Sequence, residues 1–122
     1  DGDERRLIDN AMTLLRTLVQ ETGIGLILVS HLKRPDGNKG HEEGAQTSLS
    51  QLRGSHAIAQ LSDMVISLER NQQGEDSNLT TIRVLKNRFS GNTGVACHCL
   101  YSPDTGRMTE TNPEFKDKNE EF

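Results

Sequence analysis

The start of the chain pairs an amphipathic stretch with a uniformly apolar one. From Leu7 to Val19, after an acidic start, apolar side chains recur about every 3.6 residues, which predicts an amphipathic helix. Gly23 then supplies the residue type that most often ends a helix. Residues 24–30 lack polar alternation, which is typical of a strand buried on both faces of a parallel sheet. A helix followed by such a strand indicates an α/β fold.

The second half of the chain alternates short elements with polar turns. Its pattern predicts a short helix over 52–61, a strand over 64–68 and a long strand that begins at Leu79. It also predicts a terminal antiparallel hairpin of residues 95–101 and 107–110, whose turn contains proline, aspartate and glycine.

Two segments show neither the 3.6-residue period of a helix nor the alternation of a strand. Residues 31–48 combine glycines, a proline and mixed charges, which predicts a long loop. Loops of more than about 12 residues are usually functional or disordered, and we favour a functional loop here. Residues 111–122 are polar and charged, which predicts a disordered tail and leaves residues 1–110 as one domain.

The stretch 79–94 carries three cations and no acid. Because alternate residues of a strand share a face, Ile82, Val84, Lys86 and Arg88 are predicted to point the same way. The two cations would then lie roughly 6.6 Å apart at about 3.3 Å per residue, a spacing that suits the terminal phosphates of a nucleotide. The alternative is a solvated edge strand that its cations protect from aggregation.

Composition narrows the classes of function. The chain has 122 residues, with 14 Lys or Arg and 18 Asp or Glu, a formal net charge of −4. This balance argues against a protein that coats nucleic acid indiscriminately, so any such binding is expected to be local. No apolar run could span a bilayer and no signal segment is present, so we expect a cytoplasmic protein without a membrane partner. The start at Asp1, without Met, suggests a piece of a longer chain.

Two sets of residues suggest ligands when taken alone. His31 follows the predicted buried strand, and ligands of open α/β sheets bind outside the carboxyl ends of strands. The alternative for His31 is an ordinary hydrogen-bonded surface group. The run Cys97, His98 and Cys99 invites a metal interpretation, but alternation sends His98 to the opposite face and no second pair has zinc spacing. No metal site is therefore expected.

Six separated segments stand out when they are taken in order: Val29–Asp36, His41–Gly44, Leu49–Ser55, Gln60–Asp63, Leu68–Gly74 and Leu85–Gly94. Together they resemble the C-terminal half of the replicative hexameric DNA helicases of the DnaB type. The likeness is strongest to the helicase part of bacteriophage primase-helicases, and the mitochondrial replicative helicase is a wider relative. It extends over roughly residues 3–110.

This resemblance implies the C-terminal part of a RecA-like P-loop NTPase core, with a mostly parallel sheet and a terminal antiparallel hairpin. It further implies that ATP and Mg²⁺ bind between identical subunits of a hexameric ring, that single-stranded DNA threads the channel, and that primase is a further partner. The phosphate-binding loop G-x-x-x-x-G-K-[ST], the magnesium-linked aspartate and the catalytic glutamate are absent from this sequence. The isolated chain is therefore expected to be inactive and to bind no cofactor.

The same likeness assigns nucleotide-facing roles to four residues. Arg88 matches the family's arginine finger and Lys86 its companion cation. His31 matches the polar residue that senses the terminal phosphate, and Arg70 a further basic residue near the subunit interface. A planar, permanently charged guanidinium suits the finger role, since it stabilises charge on a transferring phosphoryl group.

Further residues match the DNA-facing part of the family. Lys33, Arg34 and Lys39 lie in the segment that resembles the channel loop, and a local excess of positive charge is what phosphate binding requires. Arg53 and Gly54 match the turn after that loop, with a mainly structural role and a possible DNA contact.

Two positions depart from the family pattern. Gly37 stands where the nearest relatives have a lysine in the channel loop, and Ala59 replaces an interface arginine. These departures bear on the strength of DNA binding and of coupling between subunits. Two other functions stay open: a RecA-like recombinase ATPase, and a non-enzymatic module for nucleic-acid binding or oligomerisation. The run Leu-Arg-Gly-Ser followed by Gln-Leu-Ser-Asp favours the helicase.

Overall fold

A computed structural model describes residues 2–32, 40, 45–52, 56–74 and 76–112. Two α-helices, one 3₁₀ turn and four strands make up its regular structure. In chain order they are α1 (Gly2–Thr22), the 3₁₀ turn (Leu49–Gln51), α2 (Ala57–Leu61), β1 (Met64–Arg70), β2 (Leu79–Asn87), β3 (Gly94–Tyr101) and β4 (Met108–Thr111).

The predicted first helix is confirmed as α1, although Leu7 and Leu14 of its apolar positions are each 70% exposed. It ends where predicted, because Gly23 adopts φ 73° and its N–H donates to the Val19 carbonyl at 2.8 Å. Glycine adopts this left-handed conformation without steric cost. The helix packs against α2, and Met12 of α1 and Ile58 of α2 are the buried apolar side chains of the described residues.

Residues 24–30 do not form the predicted buried strand. They have no strand assignment, and Ile27 and Val29 are 95% and 87% exposed. A strand of a parallel sheet needs a partner for its backbone and cover for both faces. None of the described strands lies beside this segment, whose nearest pairing is the antiparallel bridge between Leu32 and Leu52. Among the described residues of the predicted helix 52–61, Leu52 lies in that bridge and Ala57–Leu61 form α2.

The four strands form one antiparallel meander in the order β1-β2-β3-β4. The mostly parallel sheet expected from the sequence is therefore not present among the described residues. The terminal hairpin is confirmed, since β3 pairs with β4 from His98↔Thr111 to Tyr101↔Met108. Gly106, with φ 75°, closes its turn. Residues 113–122, which include most of the predicted disordered tail, lie outside the described residues.

The two faces of β1 differ in an unexpected way. Ile66 and Leu68 are 55% and 66% exposed, whereas Ser67 and Glu69 are each only 8% exposed. Thr47, which is 2% exposed, covers this polar face of β1 and its hydroxyl bonds to the side chains of Ser67 and Glu69. The end of the long loop is thus held on the sheet by hydrogen bonds.

Candidate functional site

A cluster of charges lies at one end of β2, where four parts of the chain meet. Arg16 comes from α1, Asp63 from the turn between α2 and β1, Lys86 from the last part of β2, and Arg88 from the turn that follows. We call these four residues the basic corner. With three cations around one carboxylate, it carries a local positive charge although the whole chain has a net charge of −4.

Asp63 organises the basic corner. Nη1 of Arg16 donates to both carboxylate oxygens at 3.0 Å, and Nη2 of Arg88 lies 2.7 Å from Oδ1. The Arg88 backbone N–H also donates to the Asp63 carbonyl at 3.0 Å. The hydrogen bond from Arg16 and the nearby charges of Arg16, Arg88 and Lys86 hold the pKa of the Asp63 carboxyl below its ordinary value. Asp63 therefore fixes both the backbone and the side chain of Arg88 while it remains ionised.

Among the described residues, the side-chain partner of Arg88 is Asp63. The Arg88 side chain is 54% exposed, and its guanidinium carbon lies 5.6 Å from the centre of the neighbouring Phe89 ring. A guanidinium has five N–H donors in a planar fork. One bond to Asp63 leaves donors that can bind a phosphate outside this chain.

Lys86 has a different environment. Its Nζ donates to the carbonyls of Ala59 and Gln60 at 2.7 and 3.2 Å, in the last turn of α2. A cation is favourable there because the helix dipole and the unpaired carbonyls are negative. Lys86 thus connects α2 to β2.

The predicted shared face of Val84 and Lys86 is wrong. At an irregularity of the β1–β2 pairing, Val84 pairs with Ile66 but Lys86 pairs with Val65, which leaves Leu85 as an extra residue. Neighbouring residues of β1 point to opposite faces, so Lys86 does not share the face of Val84. Arg88 lies beyond the strand. Sequence alternation does not reveal a bulge, which explains the error.

Arg70 lies at the other end of the β1–β2 pair. It is exposed, and its Nε donates to the Ser77 carbonyl. Beside it is an open polar hollow of about 380 Å³, large enough for a small polar ligand. The hollow is lined by Glu69, Arg70, Asn71, Gly74, Asp76, Leu79 and Thr81.

The remaining predicted site residues lie in the long loop or shortly after it in the sequence. His31 is exposed and directly precedes the Leu32–Leu52 bridge. The predicted DNA contacts lie outside the described residues: Lys33, Arg34, Lys39, Arg53 and Gly54. The bridge places Leu32, at the start of that loop, next to Leu52, which follows the loop.

The sequence patterns missed Arg16 and Asp63 as site residues. Asp63 ends the run Gln-Leu-Ser-Asp, which hinted at its importance. Arg16 occupies an ordinary polar position of the helical pattern and lies 47 residues before its partner. No local signal could have paired them.

His98 and the cysteines confirm the predicted alternation of β3. The His98 Nδ1 lies 3.0 Å from the Thr81 hydroxyl of β2. Cys97 and Cys99 are free thiols that interact with each other, and burial together with this contact raises the pKa of the Cys97 thiol. Among the described residues, no group of three or more His, Cys, Asp or Glu side chains is placed to hold a metal ion.

Comparison with known proteins agrees with the sequence resemblance. The chain is 49% identical over 106 residues to the DNA helicase/primase of Enterobacteria phage T3, an alignment that covers 87% of this chain and 19% of that protein. None of the described helices is long and apolar enough to cross a membrane. Residues 2–110, which include the whole basic corner, match the family described as DnaB-like helicase C terminal domain. This match extends over most of the chain, which therefore belongs to the DnaB-like helicase C-terminal domain family and to its RecA-like α/β fold.

Proposed function

We propose that the chain is the C-terminal part of the motor domain of a phage-type replicative DNA helicase. In this proposal the complete protein forms a hexameric ring, hydrolyses ATP with Mg²⁺ between subunits, translocates on single-stranded DNA and unwinds the duplex. The name of the phage T3 relative, DNA helicase/primase, supports this activity and the proposal of primase as a partner. The protein would act in the cytoplasm of a phage-infected bacterial cell.

The observation that carries the proposal is the geometry of Arg88. Its guanidinium is 54% exposed, yet Asp63 fixes its orientation at 2.7 Å. An arginine that acts on the nucleotide of a neighbouring subunit needs both properties, because it must reach out of its own chain and must be oriented before it does so. In the proposed mechanism Arg88 stabilises the charge that develops on the transferred phosphoryl group.

The other predicted residues take supporting roles. His31 senses the terminal phosphate from its exposed position beside the long loop. Arg70 contacts the nucleotide region from the polar hollow at the end of β1. Lys86 is the companion cation, and its bonds to the Ala59 and Gln60 carbonyls suggest that it acts mainly by fixing the position of β2.

The long loop is proposed to hold the DNA backbone. Lys33, Arg34 and Lys39 outweigh Asp36 and give residues 33–39 a local positive charge, and Arg53 and Gly54 follow the loop. Such contacts position DNA without selecting a base sequence, as translocation requires.

Two measurements on the full-length protein test the function. Purified protein should hydrolyse ATP faster when single-stranded DNA is present, and it should separate the strands of a forked duplex. Strand exchange without unwinding would favour a recombinase, and DNA binding without hydrolysis would favour a non-enzymatic module. The isolated 122-residue chain should fold, as judged by helical circular dichroism, and should hydrolyse no more ATP than a buffer blank, because the groups that hold phosphates and Mg²⁺ are absent from its sequence.

A further inference from the structure

A second charge cluster lies on the covered face of the sheet, away from the basic corner. It consists of Thr47, Ser67, Glu69 and Arg83, and we call it the Glu69 cluster. The first three residues are 2%, 8% and 8% exposed, and the Arg83 side chain is 18% exposed. A buried carboxylate is costly unless its oxygens are fully bonded, so a cluster of this kind calls for an explanation.

Glu69 is bonded through both carboxylate oxygens. Its Oε2 accepts hydrogen bonds from the Thr47 backbone N–H at 2.7 Å, the Thr47 hydroxyl at 2.8 Å and the Arg83 Nε at 2.8 Å. Its Oε1 accepts a further bond from Arg83 Nη2 at 3.2 Å. The Thr47 hydroxyl also lies 2.5 Å from the Ser67 hydroxyl.

These bonds keep Glu69 ionised. Burial acts to raise the pKa of the Glu69 carboxyl, but the hydrogen bonds from Arg83 and Thr47 and the charge of Arg83 outweigh it and lower the pKa. The two carboxylate oxygens of Glu69 and the guanidinium of Arg83 form a two-point contact between β1 and β2.

The cluster joins three parts of the chain that have proposed roles. Thr47 belongs to the segment that leaves the long loop, and the bridge at Leu52 follows a few residues later. Glu69 is adjacent to Arg70 in β1. Arg83 lies in β2, three residues before Lys86. One carboxylate therefore connects the chain that leaves the proposed DNA loop with both strands that lead to the proposed nucleotide-facing cations.

We propose that Glu69 is a positioning residue that couples DNA binding to nucleotide hydrolysis by holding the end of the long loop, at Thr47, on β1 and β2. This inference rests on the proposed helicase function. A shift of the loop on DNA would be transmitted through Thr47 and Glu69 to the strands. Coupling between two sites is reciprocal, so bound nucleotide would change DNA affinity through the same contacts.

The test is Glu69→Gln in the full-length protein. Glutamine keeps the volume, but its NH₂ group would face the donors of Arg83 or Thr47. We expect basal hydrolysis to change less than the stimulated rate, and the ratio of DNA-stimulated to basal hydrolysis to fall about tenfold, within the usual range for coupling between sites. The ratio by which bound nucleotide changes DNA affinity should fall by a similar factor, measured by fluorescence anisotropy with a labelled single strand.

Two further variants separate coupling from simple loss of structure. Thr47→Val keeps the backbone N–H bond to Glu69 and loses only the hydroxyl bonds, so the ratio should fall less, by about threefold, the effect of one ordinary hydrogen bond. Thr80→Val is the matched control, since Thr80 is also a buried threonine but its strand neighbours are Arg70 and Cys99 rather than the cluster. In Thr80→Val the ratio of DNA-stimulated to basal hydrolysis should be unchanged.

The outcomes are distinct. If Glu69→Gln or Thr47→Val lowers basal and stimulated rates equally, the cluster is only structural and the inference is wrong. If Glu69→Gln fails to fold, the ratio of stimulated to basal hydrolysis in Thr47→Val alone decides between coupling and a structural role. If the unmodified protein shows no DNA-stimulated hydrolysis, the proposed function itself fails, a result visible before any variant is made.

Discussion

The basic corner and the Glu69 cluster both place an arginine against a carboxylate, yet they differ in exposure. Arg88 and Asp63 have side chains that are 54% and 33% exposed, whereas Arg83 and Glu69 are 18% and 8% exposed. An exposed ion pair contributes little to stability and is weakened by salt. A buried pair is expensive to break because each partner is left without water.

This difference separates two uses of the same chemistry. Arg88 can exchange Asp63 for another anion at a low cost in free energy. A group that acts on the nucleotide of a neighbouring subunit needs this property. Arg83 cannot exchange Glu69 at low cost, so it holds β2 against Glu69 of β1. We therefore expect changes in the basic corner to affect activity more than stability, and changes in the Glu69 cluster to affect stability as well as coupling.

The largest effect is expected for Arg88→Ala in the full-length ring. It should leave folding and assembly intact and reduce ATP hydrolysis by about 10³-fold or more, the low end of the range for arginine fingers. Arg107→Ala, which removes an exposed arginine from the β3–β4 turn, is the matched control and should retain activity. Steady-state hydrolysis and native mass spectrometry measure the two quantities.

Mixed rings test whether Arg88 acts across an interface. Subunits that lack Arg88 should be partly rescued by subunits that keep it but carry a disabled phosphate-binding loop, because some interfaces then contain both intact halves. If mixed rings form and no activity returns, Arg88 acts within its own subunit and the interfacial mechanism is wrong.

The next effect concerns stability. Glu69→Ala should lower the free energy of unfolding of the 122-residue chain by about 3–5 kcal/mol, since it leaves Arg83 and the Thr47 N–H without their partner. Urea denaturation followed by circular dichroism measures the change. Glu110→Ala, which removes an exposed carboxylate from β4, should change it by no more than about 0.5 kcal/mol. Equal effects of the two substitutions would show that the buried pair of Glu69 and Arg83 stabilises the chain no more than an exposed carboxylate does.

The pH dependence of stability gives a second measure of the same cluster. The pKa of Glu69 is lowered in the folded chain from an ordinary value of 4.5. Its contribution is therefore fully present above that value and is lost as the pH falls through the lower, folded-state pKa. Because protonated glutamate resembles glutamine, the difference in unfolding free energy between the unmodified chain and Glu69→Gln should shrink over that range. A difference that is constant from about pH 7 to about pH 3 would show that the pKa of Glu69 is the same in the folded and the unfolded chain, so that the cluster does not favour the ionised carboxylate.

Local patterns predicted the local parts of the fold. Helix α1, its end at Gly23 and the terminal hairpin depend on residues close in sequence, and all three are confirmed. The strand at 24–30 was wrong because burial there depends on partners that no local pattern contains. The bulge at Leu85, which moved Lys86 to the other face, gave no signal in the sequence.

The candidate site shows the same limit. Residue type and motif order singled out Arg88, but its partner Asp63 and the supporting Arg16 meet only in the folded chain. The Glu69 cluster is similar, since Thr47 lies 22 residues before its carboxylate. Long-range pairs of charges depend on topology, which the sequence predicted only in part.

A smaller effect on activity is expected for Asp63→Asn. The variant keeps the shape of the side chain but loses the charge that orients Arg88, so hydrolysis in the full-length ring should fall by on the order of tenfold, less than the roughly 10²-fold cost of a clear misplacement. The melting temperature should stay close to that of the unmodified protein. A large drop in melting temperature with normal hydrolysis would reverse the roles assigned to the two clusters.

The smallest effect concerns the long loop, which belongs to neither cluster. Changing Lys33 and Lys39 to Ala in the full-length protein should weaken binding to single-stranded DNA and reduce its salt dependence by about 0.7 units of log K per log salt for each phosphate that is no longer neutralised. Basal hydrolysis should survive better than DNA-stimulated hydrolysis, because the substitutions leave Arg88 and Glu69 in place. Arg5→Ala combined with Arg6→Ala on the exposed side of α1 removes the same charge and should leave the slope unchanged. If instead the lysine variant keeps the original slope, the DNA-binding surface lies elsewhere, and the Glu69 cluster could not couple it to the nucleotide through this loop.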